Sequence, residues 1–399
     1  MKRQVVSWLV LLIISLVTVT GCTDSIDIND LALVMAIGVD TKGTSHQVEV
    51  TAQIARPADA VGQTGAPTGG TGEPTWTAKA QGRSLFEAMR NLMRYASRRI
   101  YFAHNKVIVF SEAYARQGLA DAIDFFSRNH ELRMRTWVAI TPKKASDLVA
   151  TKTGMQVIPA DSIEKMFRYS GFAAKAPRIN LMQLEADLLS PTSDPVLPKV
   201  DLLQNGLAMS STDKKKSETQ VELAGAGIFE RDRFRGWLTN RETQGLLWFI
   251  SPPHSRVYVF GCPTSDQKVS VEIKKYHFTL MPKWLKNRLS YDVSLDDDAQ
   301  LVEVGCRYSL FDPGNKKAVE QQVNQRMETE IRQVWRRMQK EKLDFLRLGD
   351  HLKAMYPWRT ESHRDDFDQL LPSIQLTLHI HTQLRSAALL QQPMTPGNP

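Results

Sequence analysis

The ten residues Leu31–Asp40, "LALVMAIGVD", contain one acid, one glycine and otherwise only apolar side chains. An apolar run of this length without alternation is typical of a strand that is buried on both faces. A turn at Thr41–Gly43 follows, and His46–Ile54 then alternates apolar with polar residues. The two segments therefore predict a β-hairpin whose first strand is buried.

The segment before this strand predicts export and lipid attachment. The chain starts with the positively charged Met1–Arg3, and the fifteen residues Val5–Val19 carry no charge. Such a run is too short to span a bilayer, which takes about 20 residues, but it is typical of a signal peptide. Val19–Cys22, "VTGC", fits a bacterial lipobox, in which the bond after Gly21 is cut and Cys22 receives a diacylglycerol. An ordinary signal sequence with a chance cysteine is the alternative.

Composition is compatible with a protein beside a membrane. No apolar run after residue 21 is long enough to span a bilayer, so we expect a soluble body held by two or three acyl chains on Cys22. The formal net charge of +8 suits a protein near an anionic membrane surface. Basic residues that merely solvate the surface are the alternative, and this simpler explanation is favoured. We expect no nucleic-acid partner, because the predicted signal peptide would export the chain.

The length of 399 residues leaves room for two or three domains. The proline-rich Pro191–Pro198 and the polar Ser210–Ser217 mark a boundary between them. We therefore predict a signal peptide over 1–21, an N-terminal α/β-type region over 22–200 with room for more than one subdomain, a linker over 201–220 and a C-terminal α+β domain over 221–399.

Strands and helices alternate in the first half of the chain. Arg56–Glu73 is rich in Gly, Pro and Thr, which predicts a mobile loop without the lysine of a phosphate-binding loop. Ser84 and Glu87 have the spacing of a capping box at the start of a helix. The further elements predicted here are a strand over Lys106–Ser111, a single helix over Tyr114–Arg128, a strand over Met134–Ile140 and mostly helix over 143–190.

The second half has a different pattern. Val269–Leu280 alternates apolar and polar residues, with a slip near Lys274 and Lys275 that indicates a bulge. Asp296–Asp298 predicts a turn, and apolar residues at steps of three and four predict a long amphipathic helix near 317–340. A helix over Leu348–Met355 and a strand over Ile374–Leu384 follow. We therefore predict an α+β fold, a multi-domain exported lipoprotein with mixed sheets and packed helices.

Catalytic motifs are missing from the sequence. It lacks G-x-S-x-G, H-E-x-x-H, C-x-x-C and the glycine patterns of nucleotide-binding loops. His379 and His381 could ligate a metal, but the lack of a third nearby ligand favours a solvated face. Asp296–Asp298 lacks the spacing of a calcium loop, which favours the turn. We predict no catalytic, cofactor-binding or metal site, and lipid attachment at Cys22.

Three further features leave alternatives open. Trp237 and Trp248 could form an aromatic ligand shelf, but core packing is favoured. The apolar stripe near 317–340 could dock a partner helix, but packing on the protein's own sheet is favoured. Cys262 and Cys306 could form a disulfide after export, but two buried free thiols are favoured.

Four stretches carry a resemblance to a known family, in the same order and spacing from Cys22 to about residue 387. Stretch 1 is the lipobox cysteine with "INDLALVMAIGVD" (28–40), and stretch 2 is "HNKVIVFSEAYARQGLADAIDFFSRNHELRMRTWVAI" (104–140). Stretch 3 is "GAGIFERDRFRGWLTNRETQGLLWFI" (225–250), and stretch 4 is "EKLDFLRLGDHLKAMYP" (341–357). The chain resembles the Ger(x)C family, the lipoprotein C-subunits of nutrient germinant receptors in bacterial spores.

The resemblance implies a fold of three α+β domains in an extended arrangement, without enzymatic activity or cofactor. It transfers no catalytic or ligand-binding residue. It implies a place on the outer face of the inner spore membrane, held there by acylated Cys22, with integral-membrane receptor subunits as partners. Two alternatives remain. A solute-binding lipoprotein needs two similar lobes, and an exported hydrolase needs a nucleophile or a metal group.

Overall fold

The computed structural model describes residues 30–43, 47–56, 73–151, 158–203, 219–262, 265–285, 288–305, 313–357 and 364–385, together with residues 3, 4, 8 and 27. Its strands are β1 Leu31–Lys42, β2 Gln47–Ala55, β3 Thr75–Gly82, β4 Arg99–Tyr101, β5 Val107–Ser111, β6 Trp137–Thr141, β7 Val196–Leu203, β8 Gln220–Glu230, β9 Arg233–Trp237, β10 Arg256–Cys262, β11 Ser265–Leu285, β12 Arg288–Val304 and β13 Gln375–Arg385.

Its helices are α1 Leu85–Leu92, α2 Glu112–Ala115, α3 Ala120–Arg128, α4 Ala145–Ala150, α5 Pro159–Ala173, α6 Leu181–Leu189, α7 Asn240–Ile250, α8 Pro313–Glu341, α9 Leu348–Met355 and α10 Arg364–Leu370, with a 3-10 turn at Leu371–Ser373. Among the described helices, none combines the length and the apolar character needed to cross a membrane.

β1 lies inside a nine-stranded mixed sheet with the order β3-β2-β1-β5-β6-β7-β8-β9, and β4 pairs with the start of β1. β1 and β2 are antiparallel, which confirms the predicted hairpin, whereas β4 and β5 run parallel to β1. Val34 and Ile37 pack into an apolar cluster on one face of the sheet, and Met35 and Ala36 pack into another on the opposite face. Burial of this strand on both faces is therefore confirmed.

The large sheet has two parts. In the described strands a single register pair, Ile140 with Lys199, joins β6 to β7. Beyond that pair, β7, β8 and β9 form an antiparallel ladder of their own. Because the junction is narrow, β7, β8 and β9 form a distinct part of the sheet.

β10, β11, β12 and β13 form a separate four-stranded sheet. β11 and β12 make a long antiparallel hairpin, and the register shift between Ile273 and Lys275 confirms the predicted bulge. β13 runs parallel to β12, so both sheets are mixed and the predicted α+β class is confirmed. α8 packs against β13 and α7. Its buried residues include Val319, Val323, Met327, Ile331, Val334, Trp335 and Met338.

The single helix predicted over Tyr114–Arg128 is wrong, because the chain breaks at Gly118. This residue has a φ of +125°, which glycine adopts readily and other residues rarely do. A Cβ at Gly118 would also lie 2.4 Å from Oδ2 of Asp232. The break produces α2 and α3, and it lets the amides of Leu119 and Ala120 donate to Asp232.

The turn predicted at Asp296–Asp298 is also wrong. These residues lie inside β12, where Asp297 pairs with Tyr276 of β11 and with Thr382 of β13. The ladder of β11 and β12 continues past them as far as Leu285 and Arg288. Three acids in a row suggest a turn by composition, but pairing on both edges of the strand decides the structure.

Cys262 is disulfide-bonded, so the expected free thiol at this residue is wrong. Cys306 lies outside the described residues. Gly305, which precedes it, donates its amide to the carbonyl of Lys268, and Lys268 pairs with Gly261 at the end of β10. Gly305 therefore lies near the end of β10, the strand that carries Cys262.

Several predicted segments fall outside the described residues. They include most of the signal peptide, residues 57–72 of the glycine-rich loop and residues 204–218 of the linker. The strands on either side of that linker, β7 and β8, pair with each other along their length. The division into 22–200 and 221–399 stays a prediction, and its two parts share one ladder.

We expect trypsin to cut first at Lys214–Lys216, because polar, lysine-rich segments are preferred sites of nicking. Denaturing electrophoresis should then show two fragments, of approximately 22–214 and 217–385. Gel filtration of the same sample should show one particle of unchanged size, because the β7–β8 ladder holds the fragments together. Separation of the fragments in native buffer would contradict this structure, and early cuts within either fragment would contradict the boundary.

Candidate functional site

The predicted lipid-attachment residue, Cys22, lies outside the described residues, so its acylation stays a prediction. His379 and His381 are exposed on β13, where they pair with Ser294 and Asp296 of β12. Within the described part of the chain, no group of three or more His, Cys, Asp or Glu side chains is placed to hold a metal ion.

Stretches 2 and 3 contact each other where β5 ends. Nε1 of Trp237 donates to Oε2 of Glu112 at 2.8 Å, and the guanidinium of Arg116 lies 5.0 Å from the ring centre of Phe234. Trp248 is fully buried in the core. Trp248 therefore packs in the core, as favoured by the sequence, and the half-buried Trp237 packs against the apolar cluster of the large sheet.

Stretch 3 continues into α7, which approaches α8 closely. A Cβ at Gly245 would lie 2.2 Å from the carbonyl oxygen of Glu330. The buried carboxylate of Glu330 accepts from Nη2 of Arg256 at 2.9 Å, from the hydroxyl of Tyr258 at 3.1 Å and from Nε of Arg326 at 3.1 Å. Burial raises the pKa of Glu330, against the effect of both guanidinium groups. These bonds connect α8 to β10. Loss of one partner would leave a buried charge uncompensated, which is strongly destabilising.

Three aspartates, Asp194, Asp344 and Asp350, hold stretch 4 to the loop before β7, and we call them the aspartate joint. The amide of Asp344 donates to Oδ2 of Asp194 at 2.8 Å, and the amide of Asp194 donates to the carbonyl of Asp344 at 3.0 Å. The carboxylate of Asp344 accepts from the amides of Leu348 and Gly349 at 2.8 and 2.7 Å. Burial raises the pKa of Asp344 to about 7, although these two amides lower it.

Asp350 gathers three hydroxyl groups from the same loop. The hydroxyls of Ser190, Thr192 and Ser193 donate to its carboxylate at 2.9, 3.4 and 2.7 Å. A Cβ at the preceding Gly349 would lie 2.4 Å from Cβ of Thr192. The Gly-Asp pair of stretch 4 is therefore shaped to fit this serine- and threonine-rich loop.

The aspartate joint was not found from the sequence. Asp194 and Asp344 are 150 residues apart, and no periodicity connects them. The available signal was the polar run between Pro191 and Pro195, which composition marked only as a boundary. The structure shows that this run is the contact between the N-terminal region and stretch 4.

Asp297 is a further buried acid, on β12. Its Oδ2 accepts from the hydroxyl of Thr382 at 2.9 Å, while its Oδ1 has no hydrogen-bond partner among the described residues. Burial raises the pKa of Asp297 to about 7, the neighbouring Asp298 and Asp296 raise it too, and the Thr382 hydroxyl lowers it. The pKa of this buried carboxyl therefore lies near neutral pH.

Two depressions lie at the edge of the large sheet where β4, β5 and β6 begin. A groove of about 700 Å³ runs beside α1 and α3 and is lined by apolar side chains such as Phe86 and Phe125, with Arg90 and Arg128 among its lining residues. A cleft of about 400 Å³ is lined by polar residues before β5 and β6 and on α5. Asn105, in this cleft, is buried, and its side-chain amide has no hydrogen-bond partner among the described residues.

Comparison with known families and proteins gives a consistent result. A family profile described as "Spore germination protein N-terminal domain" matches residues 24–202, and one described as "Spore germination B3/ GerAC like, C-terminal" matches residues 224–387. Spore germination protein KC of Bacillus subtilis (strain 168) is 27% identical in an alignment of 396 residues that covers 96% of this chain and 96% of that protein. The putative spore germination protein YfkR of the same organism is 23% identical over 345 residues, or 86% of each chain.

One solved structure shares the fold. The structure titled "Crystal Structure of the GerBC protein" superposes with a TM-score of 0.54 and 18% sequence identity, covering 88% of this chain and 98% of that chain. At this identity the likeness supports the fold and not a shared activity.

We expect Asp350→Ala to lower the free energy of unfolding by about 2–3 kcal/mol, because three hydroxyl groups lose a charged acceptor. Asp350→Asn keeps one carbonyl acceptor and should lose less. Urea denaturation measures both, and Ala at the exposed Glu222 is the control, with an expected change within about 0.5 kcal/mol. Equal stability of the wild type and Asp350→Ala would contradict the role of the joint.

We expect Asp297→Asn to raise the melting temperature at pH 8 by a few degrees. The folded pKa of about 7 lies above the value of about 3.9 for an unfolded aspartate. The folded state thus binds more protons between these values, and stability falls as pH rises from about 4 to about 7. The neutral asparagine lacks this loss, so the gain should shrink towards pH 5. Glu222→Gln, at an exposed position on β8 in the other sheet, is the control. Parallel pH curves for the wild type and Asp297→Asn would contradict the assignment.

Proposed function

Because the chain belongs to the GerAC-like family of spore germination proteins, we propose that it is the lipid-anchored, non-enzymatic subunit of a nutrient germinant receptor. The observation that carries the proposal is the match of both family profiles, in order, over 24–202 and 224–387. The relative of almost the same length, Spore germination protein KC, supports it.

The use of polar side chains inside the fold supports a role without catalysis. With the exception of Asp121, the carboxylates of stretches 2, 3 and 4 are engaged with backbone amides, hydroxyls, guanidinium groups or an indole of the same chain. Glu112 binds Trp237, and Asp344 binds two backbone amides. Groups held in this way fix elements of the fold relative to one another, which suits a protein that acts through contacts with other proteins.

The lipid supplies the location in this proposal. Acylation of Cys22 would hold the body on the outer face of the inner spore membrane, beside integral-membrane receptor subunits. Confinement to two dimensions raises the effective concentration of such partners without any new contact. The main alternative, a solute-binding lipoprotein, needs two similar lobes, whereas the two described sheets have nine and four strands in different orders.

We expect Cys22→Ala to prevent acylation and cleavage after Gly21, since the thiol is the acceptor of the lipid. Mass spectrometry of the mature wild-type N-terminus should show a diacylglyceryl cysteine. Thr23→Ala, which keeps the thiol, is the control and should be processed as the wild type. An unmodified terminus, or cleavage at another bond, would contradict the anchor.

The same residue tests the receptor role in spores. Spores are prepared in which a Cys22→Ala chain is exported with a cleavable signal peptide. These spores should germinate weakly with the nutrient of this receptor and normally with a trigger that bypasses nutrient receptors. Its circular dichroism and melting should match those of the wild type. Wild-type nutrient germination with a demonstrably unanchored protein would show that membrane confinement is not required.

A further inference from the structure

Positive charge is concentrated in two loops that precede parallel strands. Residues 94–106 hold four Lys or Arg side chains and no acid, and residues 128–136 hold three against a single acid, Glu131. The two loops touch, since Nη2 of Arg99 lies 2.9 Å from Oε1 of Glu131. We call the surface formed by these loops the basic edge.

Most of the charge on the basic edge is not neutralised. Arg94, Arg98, Arg133 and Arg135 are exposed, and none of them has an acidic partner among the described residues. Tyr95 stands among them with 65% of its surface exposed. Exposed arginines combined with exposed aromatic or apolar side chains are typical of surfaces that lie on an anionic bilayer.

The basic edge surrounds the point at which the chain enters the fold. Leu31, the first residue of β1, pairs with Arg99 at the start of β4. Cys22 lies nine residues before Leu31, and nine residues span at most about 32 Å. A membrane that holds Cys22 therefore lies within that distance of the basic edge.

The opposite end of these parallel strands, where β5 ends, is already covered by later parts of the chain. There the amide of Leu119 donates to the carbonyl of Asp232 at 2.9 Å, and Trp237 bonds to Glu112. The groove and the cleft at the basic edge are lined only by residues before 170 in the described part of the chain. The later strands and helices thus leave the basic edge open.

We propose that the basic edge docks on the anionic lipid headgroups of the membrane that carries the N-terminal anchor. The inference rests on the tether at Cys22 proposed above. Guanidinium groups bind phosphate with two parallel hydrogen bonds, and the cleft of about 400 Å³ offers a depression beside them. Asn105, whose buried amide has no partner among the described residues, lies where a headgroup would enter.

Arginine footprinting tests the proposal on the full chain. The protein is inserted in vesicles of phosphatidylcholine alone, or with about 30% phosphatidylglycerol, which supplies the anionic headgroups. p-Hydroxyphenylglyoxal modifies exposed guanidinium groups, and mass spectrometry gives the rate at each arginine. We expect Arg94, Arg98, Arg133 and Arg135 to react at least about threefold more slowly on the anionic vesicles, with reversal at about 0.5 M NaCl because salt screens exposed charges.

Three exposed arginines away from the basic edge, Arg233, Arg241 and Arg336, are internal controls. Their rates should be the same on both vesicles. Equal rates at the basic edge on both vesicles would overturn the proposal, and so would equal slowing at the controls. Slowing by soluble phosphate on neutral vesicles would indicate an ordinary anion site, and slowing that needs a co-inserted receptor subunit would indicate a protein interface. Either result would also overturn it.

Matched variants separate charge at the basic edge from total charge. The exposed Arg99, which joins the two loops, should also react more slowly on anionic vesicles in the wild type. Arg94→Glu/Arg98→Glu/Arg133→Glu/Arg135→Glu should abolish this slowing. Glutamate at the three control arginines and at the exposed Lys340, which changes the net charge equally, should preserve it. The wild-type footprint decides the proposal even where a variant fails to fold. Mass spectrometry of the N-terminus in the same samples tests Cys22 independently, because the uncleaved apolar segment would also hold the chain on the vesicle.

Discussion

Burial of β1 on both faces and pairing on both edges is the constraint from which the rest of the structure follows. A strand in this position has to pair its backbone groups with neighbouring strands, because unpaired buried amides and carbonyls are strongly unfavourable. β2 meets this need on one edge, and β4 and β5 meet it on the other. Strands that run parallel to each other need long crossover connections, and these usually contain helices. The helices of these connections pack on the faces of the sheet. At its end, Asp40 accepts from the amides of Ala145 and Ser146 at 2.8 Å and so positions α4 on the sheet.

Much of this architecture could be predicted from the sequence because its signals are local. The apolar run of β1, the alternation in β2 and the slip at Lys274 each reflect burial within a few residues. Ser84 caps α1, accepting from the amide of Glu87, and Thr239 with Glu242 forms a capping box on α7. Such caps are readable because donor and acceptor lie three residues apart.

The features that sequence reasoning missed depend on distant partners. The break at Gly118 brings the following amides to Asp232, which comes more than a hundred residues later. Helical periodicity on either side of Gly118 gives no sign of this break. Asp296–Asp298 has the composition of a turn, but ladders with β11 and β13 on both edges hold it in a strand. The basic edge was not predicted for the same reason. The net charge gives the number of charged residues but not their positions, and only the contact between Arg99 and Glu131 shows that two separate loops form one surface.

The position of β1 at the start of the chain also has a mechanical consequence. A tether at Cys22 joins the body at Leu31, and any pull between membrane and body enters along the axis of β1. Interstrand hydrogen bonds run across the strands, so this force loads the ladders with β2, β4 and β5 in shear, all bonds at once. A pull across the sheet would instead open the bonds one after another. Such a tether would therefore attach the body in the direction in which its central sheet resists force best.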